Sequence, residues 1–301
     1  MSVQITTAFV EQYKGNVTHL AQQKGSRLRS AVMVESVVGK TAFFEQIGST
    51  AARQRTSRHS DTPRMDTPHA RRRVALFDYD WADLIDQEDK IRMLIDPSSQ
   101  YAQAAAWAMG RAMDDAIISA ADGTAYTGVD GSTQTAFDTN MVVDVQMRDT
   151  GVSAADYGLN VAKLIAAKEL LDANDVDPDE ERFIALPARQ VTSLLKTTKA
   201  TSADYTTVKA LVEGKIDTFV GFKFIRTQRT GTDSNSDDKV LFWVKSGLKL
   251  GLGADITARI TERADKNYAT QVFTSMVIGA TRMEETKVGY IECDISTGPG
   301  A

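Results

Sequence analysis

The residues of this sequence that could do chemistry are arginines, concentrated in residues 51–73 (AARQRTSRHSDTPRMDTPHARRR). This segment contains no lysine, and Asp61 and Asp66 are its only acids. A planar guanidinium binds a carboxylate through two hydrogen bonds and stacks on aromatic rings, which an ammonium group does not do. The segment therefore predicts recognition of a carboxylate-bearing surface. Its arginines are Arg53, Arg55, Arg58, Arg64, Arg71, Arg72 and Arg73.

Carboxylates that could receive these arginines follow almost at once, in the acidic run of residues 78–89. Six acids in an exposed run of twelve residues are typical of a solvated or partner-facing surface rather than of a catalytic pair. We predict that the arginines and this run belong to an interface between copies of the chain. The acids assigned to that interface are Asp78, Asp80, Asp83 and Asp86.

The distribution of charge favours a protein partner over a nucleic acid. The chain has 35 Lys and Arg residues against 40 Asp and Glu, a net charge of -5, although residues 51–73 alone carry five net positive charges. Nucleic-acid-binding domains are usually basic over a whole face, whereas a basic arm on an acidic body is complementary to another copy of itself. Nucleic-acid binding by the arginines and a merely solvated loop remain open alternatives at this point.

Residues 51–73 also contain too little apolar surface to offset the entropy of ordering them. They lie between residues 41–47 and 74–89, which carry enough apolar side chains to be ordered. We therefore predict an arm without a core of its own, which becomes ordered on a neighbouring molecule.

Motifs for catalysis, cofactors and metals fail in their details. The segment VESVVGKT (34–41) lacks a small residue at its start and a preceding strand, so it does not predict a phosphate-binding loop. Asp175, Asp177 and Asp179 begin with calcium-loop spacing, but Glu180 replaces the turn glycine. Cys293, the single cysteine, excludes an intrachain disulfide and has no neighbouring histidine to activate it. We predict no enzyme activity, no cofactor and no metal.

The periodicity predicts an α+β fold. A helix is predicted over residues 100–121, with a packed face of alanines that includes Ala108 and Ala112. A second helix is predicted over residues 159–174, and strands at 182–187, 239–245 and 288–294. The spacing of Trp81, Leu84 and Ile85 favours an amphipathic helix or ordered turn. Since no apolar run is long enough to span a bilayer and no signal peptide opens the chain, we expect no membrane partner.

Three motifs give the sequence a resemblance that covers roughly residues 5–295. They are DYDWAD (78–83), GTAYTG (123–128) and GATRM (279–283), set around a long alanine-rich helix. This order resembles the major capsid proteins of tailed bacteriophages, in the branch without a cleaved prodomain.

The resemblance implies the Johnson-type (Hong Kong 97-like) capsid fold and a division of the chain. Residues 1–39 would form an N-terminal arm, 40–80 an extended loop across a neighbouring subunit, and 81–154 a peripheral domain with a spine helix. Residues 155–253 would form the axial domain, and 254–301 would return to the peripheral domain.

The resemblance also implies a function. The chain would assemble into hexamers and pentamers of an icosahedral head shell around double-stranded DNA, in the cytoplasm of a bacterial host. No long, charged helical segment precedes the arm, so we expect a separate scaffolding protein, together with a portal and room for a decoration protein. An encapsulin-like shell enclosing cargo in a cellular nanocompartment is the alternative within the same fold.

Overall fold

The computed structural model describes residues 22–59, 61–62, 64–86, 98–148, 151–152, 155–196 and 218–295. Residues 1–21 of the predicted N-terminal arm lie outside this range. Three described segments are α-helical: α1 (Ser98–Asp122), α2 (Val161–Ala173) and α3 (Ala188–Lys196). None of the described helices is both long and apolar enough to cross a membrane.

The strands fall in two halves of the chain, before and after α3. The first group is β1 (Met33–Ser36), β2 (Thr41–Ile47), β3 (His69–Ala75), β4 (Phe77–Ile85), β5 (Ala125–Thr127), β6 (Thr133–Thr135), β7 (Val142–Val143), β8 (Met147–Arg148), β9 (Gly151–Val152) and β10 (Arg182–Leu186). The second group is β11 (Thr218–Phe219), β12 (Phe222–Arg226), β13 (Asp238–Val244), β14 (Leu248–Arg263), β15 (Ala269–Arg282) and β16 (Val288–Cys293).

These strands form mixed sheets with helices between them, so the α+β prediction is confirmed. Their orders are β1-β14-β15-β4, β11-β12-β10-β13-β16-β7, β2-β3-β5-β6 and β8-β9. By the density of its contacts the chain divides into two compact units. The first unit comprises Met1–Ser26, Asp78–Met113 and Ala254–Val277, and the second comprises Arg27–Phe77, Asp114–Gly253 and Ile278–Ala301.

The largest core of the second unit lies between the six-stranded sheet and α2. Strand β10 is buried along its whole length, as expected of a continuous apolar run in a central strand. Helix α2 begins where the Asn160 side chain accepts a 2.9 Å hydrogen bond from the Lys163 amide, and it packs Leu164, Ala167 and Leu171 on the sheet. Strands β7 and β16 pair in the same sheet as β10, β12 and β13. The division into domains implied by the resemblance stays a prediction.

Helix α1 confirms the predicted long helix but buries a different face. A stripe of buried apolar side chains recurs at every fourth residue, whereas Ala108 and Ala112 of the predicted alanine stripe are only half-buried. The physical reason is size, because methionine and isoleucine remove far more apolar surface from water than alanine does. The apolar residues of that stripe are Ala105, Met109, Met113, Ile117 and Ala121. Gly110, Asp114 and Ile118 of the same helix are buried as well.

The helix or turn predicted from Trp81, Leu84 and Ile85 is wrong, because these residues lie in strand β4. Burial alternates along β4, with Tyr79, Trp81 and Ile85 on the covered side and their neighbours more exposed. Apolar residues at positions 77, 79, 81 and 85 follow a period of two, which is the strand signal that the i, i+3, i+4 reading overlooked.

Candidate intersubunit surface

A β-hairpin presents the arginine-rich segment. Strands β2 and β3 pair antiparallel from Thr41 opposite Ala75 to Ile47 opposite His69, and the Gly48 amide extends the ladder by donating to the Pro68 carbonyl at 2.9 Å. Between them, every described residue of the loop 48–68 is exposed. The prediction of a core-less arm therefore agrees with the loop but is wrong for residues 69–73, which form an ordered strand.

The strand is ordered because its base packs on a small apolar core. Phe44 of β2 and Val74 of β3 point to the same side of the hairpin, where they contact Val37 and Met283. Burial of such side chains contributes on the order of 1.5–3 kcal/mol each, which is enough to anchor a short hairpin. This small core does not extend into the loop.

Arg72 is anchored inside its own chain. Its side chain is only 6% exposed, its Nε donates to the Met283 carbonyl at 2.9 Å, and its Nη2 lies 2.5–2.6 Å from both carboxylate oxygens of Glu285. Breaking such a buried pair by removing one partner leaves a charge without compensation. Arg72 thus holds the hairpin to its own subunit, and its pairing explains why a strand can carry three consecutive arginines.

Arg71 and Arg73 lie on the opposite, outer face of the hairpin. The Arg71 guanidinium pairs with Glu45 at 2.9 Å and lies 5.5 Å from the ring centre of Phe43. That of Arg73 lies 4.7 Å from the ring centre of Tyr126 on β5. The same face exposes 70% of Ile47, so it combines cationic, aromatic and aliphatic groups.

The remaining four arginines lie in the exposed loop. Among the described residues, the structure gives them one hydrogen bond, from Arg55 Nε to the Ser57 carbonyl at 3.0 Å. Such a contact two residues away fixes no position for the loop. These side chains are free to meet another molecule: Arg53, Arg55, Arg58 and Arg64.

Three of the predicted acidic partners lie on β4, and Asp86 follows directly after it. Asp78, Asp80 and Asp86 are exposed, and Asp83 is half-buried on the covered side of the strand. All four belong to the first compact unit. The rest of the acidic run, residues 87–89, lies outside the described residues. The arginines belong to the second compact unit, and the role of these acids at an interface stays a prediction.

A second buried arginine, Arg282, was missed by the sequence reasoning. It is 1% exposed and its Nη1 donates to the carbonyls of Ala121 and Gly123, at 2.8 and 2.7 Å, where helix α1 ends. A cation at a helix C-terminus satisfies carbonyls that have no partner within the helix. Burial lowers the pKa of the Arg282 guanidinium, while the nearby Glu285 acts in the opposite direction.

This contact gives a physical meaning to two of the motifs singled out above. GTAYTG follows the end of α1, and GATRM supplies Arg282 to that end. In the second motif Gly279 passes so close to β3 that a Cβ there would lie 2.0 Å from the Ala75 carbonyl oxygen. Both motifs therefore hold the hairpin and the helix end in place. The sequence signal that could have revealed this role is that Arg282 is the one charged residue in the otherwise uncharged run of residues 269–282.

No group of three or more His, Cys, Asp or Glu side chains among the described residues could hold a metal ion. Burial raises the pKa of the Cys293 thiol to about 12, so this group is protonated at neutral pH. Within the described structure, the exposed arginine loop is thus the best candidate for a site that binds another molecule.

The sequence matches the phage capsid protein family over residues 5–295. The chain belongs to that family. It is a structural protein, a phage capsid protein, and therefore part of the shell of a virion. No curated protein is significantly similar in sequence.

Solved capsid structures share the fold of this capsid protein at low sequence identity. The capsid of cyanophage P-SCSP1u aligns with a TM-score of 0.73 and 19% identity, covering 97% of this chain and 95% of the other. The capsid of Ralstonia phage GP4 aligns with a TM-score of 0.75 and 9% identity, covering 97% and 96%. The capsid of cyanophage Pam1 aligns with a TM-score of 0.65 and 15% identity, covering 95% and 97%. The Johnson-type fold implied by the resemblance is confirmed.

Proposed function

We propose that the hairpin β2–β3 and its loop 48–68 form an intersubunit clamp of the capsid shell. The observation that supports this is the contrast between a base fixed by Arg72 and a loop whose described residues are all exposed. A loop of this length without secondary structure of its own is uncommon unless it is functional or disordered. In a shell-forming protein, the partner it would meet is a neighbouring copy.

The length of the loop allows it to leave its own subunit. Residues 48–68 provide about ten residues in each direction, and an extended chain spans at most about 3.3–3.6 Å per residue. The tip can thus lie roughly 30–35 Å beyond the end of the hairpin, about the diameter of a small domain. A contact at that distance lies on a neighbouring subunit.

Arginine suits this contact because the shell repeats it many times. An exposed ion pair contributes only about 0.2–1 kcal/mol, but contacts made together in a closed ring reinforce one another. Heterologous contacts close into rings when their rotation allows it. We infer hexamers and pentamers arranged as an icosahedral shell, with the domain roles given by the resemblance.

The resemblance to phage capsid proteins also suggests what the shell encloses and which proteins assemble with it. The shell encloses double-stranded DNA without reading its sequence, assembles in the bacterial cytoplasm with a separate scaffolding protein and a portal, and accepts a decoration protein. It acts without catalysis. Family membership supports a virion shell over a cargo-enclosing nanocompartment.

The test replaces the four loop arginines together by glutamine (R53Q/R55Q/R58Q/R64Q). We expect subunits with unchanged thermal unfolding, because these side chains are exposed, but few or no closed particles by electron microscopy and sedimentation. The matched control replaces the same residues by lysine, which keeps the charge and removes the bidentate geometry. It should assemble partially and dissociate at lower salt than the wild type. If the glutamine variant formed normal particles of normal stability, the loop would not be a clamp.

A further inference from the structure

A cleft of about 600 Å³ lies where the loop leaves the hairpin. One wall is formed by the end of β2 and the start of the loop, including Ile47 and Ser49. The opposite wall is the acidic turn after α2, residues 174–180, together with residues 283–287. All of these residues belong to the second compact unit.

The cleft carries more negative charge than its own residues compensate. Five carboxylates and two cations line it. Arg72 pairs with Glu285, and Lys287 lies 3.2 Å from Glu284, which leaves three acids. These remaining acids are Asp175, Asp177 and Glu180.

None of the three acids has a cationic partner among the described residues. Asp177 accepts a hydrogen bond from the Asp179 amide at 2.9 Å, and Glu180 accepts one from the Ser246 hydroxyl at 2.6 Å. Asp175 and Asp177 are exposed. The wall therefore offers three negative charges to a ligand.

A second, independent feature of the cleft points to a ligand. Arg72 lines it, is buried to more than nine-tenths, and has an Nη1 atom without a hydrogen-bond partner among the described residues. A buried donor without a partner is destabilising, so a ligand that supplies an acceptor oxygen is favoured there. The ligand must thus carry both positive charge and a hydrogen-bond acceptor.

A basic peptide meets both requirements. Its carbonyl oxygens accept hydrogen bonds and its arginine side chains pair with the carboxylates. The volume of the cleft suits several side chains, whereas a bare calcium ion would need its oxygens at about 2.3–2.6 Å around one point. Within this chain, residues 53–58 (RQRTSR) carry three arginines and no acid.

We propose that this cleft receives the segment 53–58 of a neighbouring copy, with Asp175, Asp177 and Glu180 binding its arginines and Arg72 Nη1 donating to its backbone. This assignment rests on the proposed clamp function and names its receiving surface. Donor and receiver lie on the same chain but on different surfaces, so the contact is heterologous and passes from copy to copy around a ring.

The first experiment neutralises the unpaired wall with Asp175→Asn and Asp177→Asn together. Asparagine keeps an acceptor for the Asp179 amide and tolerates the positive φ of 55° at position 175, so the subunit should melt as the wild type does. We expect the yield of closed particles to fall at least tenfold. The matched control is Asp179→Asn, an exposed acid of the same turn that does not line the cleft, and it should assemble normally.

The second experiment tests proximity with cysteine pairs. Asp177→Cys is combined in turn with Arg53→Cys, Arg55→Cys and Arg58→Cys, with the native Cys293 buried and out of reach. At least one pair should give a ladder of disulfide-linked oligomers on a non-reducing gel after assembly. The control pairs the same loop cysteines with Asp80→Cys on β4, the receiver favoured by sequence alone, and should give none.

The outcomes separate this assignment from the clamp itself. If the loop variants block assembly while the cleft variants do not, or if ladders form only with Asp80→Cys, the clamp stands and the cleft is not its receiver. Cross-links confined to single chains would also overturn the assignment, because the loop would then fill its own cleft. If the loop variants assemble normally, the clamp function fails first.

Discussion

At the scale of single residues, the charges that matter most for this fold are buried and bound by backbone groups. Asp114 is fully buried on α1, and its carboxylate accepts hydrogen bonds from the amides of Arg27 and Leu28 at 3.0–3.1 Å. The spacing of three residues on a helix would allow Asp114 to pair with Arg111, but Arg111 donates to Gln22 and Gln23 instead. A carboxylate in such a position fixes the path of the chain before β1.

Asp114→Ala should therefore destabilise the free subunit by about 2–4 kcal/mol, because it removes the acceptor of a buried amide, that of Leu28, and of a partly buried one, that of Arg27. Urea unfolding of unassembled subunits measures this difference. The matched control is the next residue: Asp115 pairs with Arg229 but its side chain is 46% exposed, so Asp115→Ala should cost no more than about 1 kcal/mol. Equal costs for the two variants would contradict the assigned role of Asp114.

At the scale of elements, the sequence of helix α1 reflects the close packing of residues 25–26 against it as much as helix propensity. Gly110 lies in the middle of the helix and is buried, although glycine disfavours helix by about 1 kcal/mol relative to alanine. A Cβ at this position would lie 2.5–2.6 Å from the backbone of Gly25 and Ser26. The glycine allows the preceding segment to cross the helix at backbone distance.

Gly110→Ala thus tests whether this close approach or helix propensity decides stability. Propensity alone predicts a gain of about 1 kcal/mol, whereas backbone atoms at that distance must shift, so we expect a net loss of about 1–3 kcal/mol. Thermal unfolding of free subunits gives the sign directly. Ser119→Ala, at an exposed position of the same helix, is the control and should stabilise slightly; an equal gain at Gly110 would mean that the approach is not close.

At the scale of the whole molecule, the loop 48–68 couples one subunit to the shell. Ordering about twenty residues costs on the order of 20–40 kcal/mol, an upper bound for a loop that is partly structured when free. Contacts with its own subunit offset little of this cost for the described residues, because the hairpin hydrogen bonds end at Gly48 and Pro68. The proposed order of events is that neighbours arrive first and the loop becomes ordered on them.

Limited trypsin digestion should show this coupling. In free subunits we expect cleavage within minutes after the four exposed loop arginines, and not after Arg72 or Arg73, because those residues are held in strand β3. In assembled shells the same loop sites should resist, as mass spectrometry of the fragments would reveal. Equal resistance in both states would show that the loop is ordered without its neighbours; cleavage within β3 would show that the hairpin itself opens.

Several features of this capsid protein could be determined from its sequence because they depend on local patterns. The sequence predicted four of them: the long helix α1, the buried strand β10, a basic segment in an otherwise acidic chain, and an order of motifs that resembles tailed-phage capsid proteins. Period, composition and spacing decide such features within one segment, before any long-range contact forms.

Other features were decided only by the tertiary structure, because they depend on what lies opposite each residue. Three consecutive arginines are typical of a solvated segment, yet Arg72 is buried. It is buried because Glu285 and the Met283 carbonyl, more than 200 residues along the chain, bind its guanidinium. Similarly, the period of two along β4 indicates a strand but not its partner, which is β15, far along the chain. A single sequence specifies which groups require partners, and folding decides which of them find one within the subunit and which remain for its neighbours.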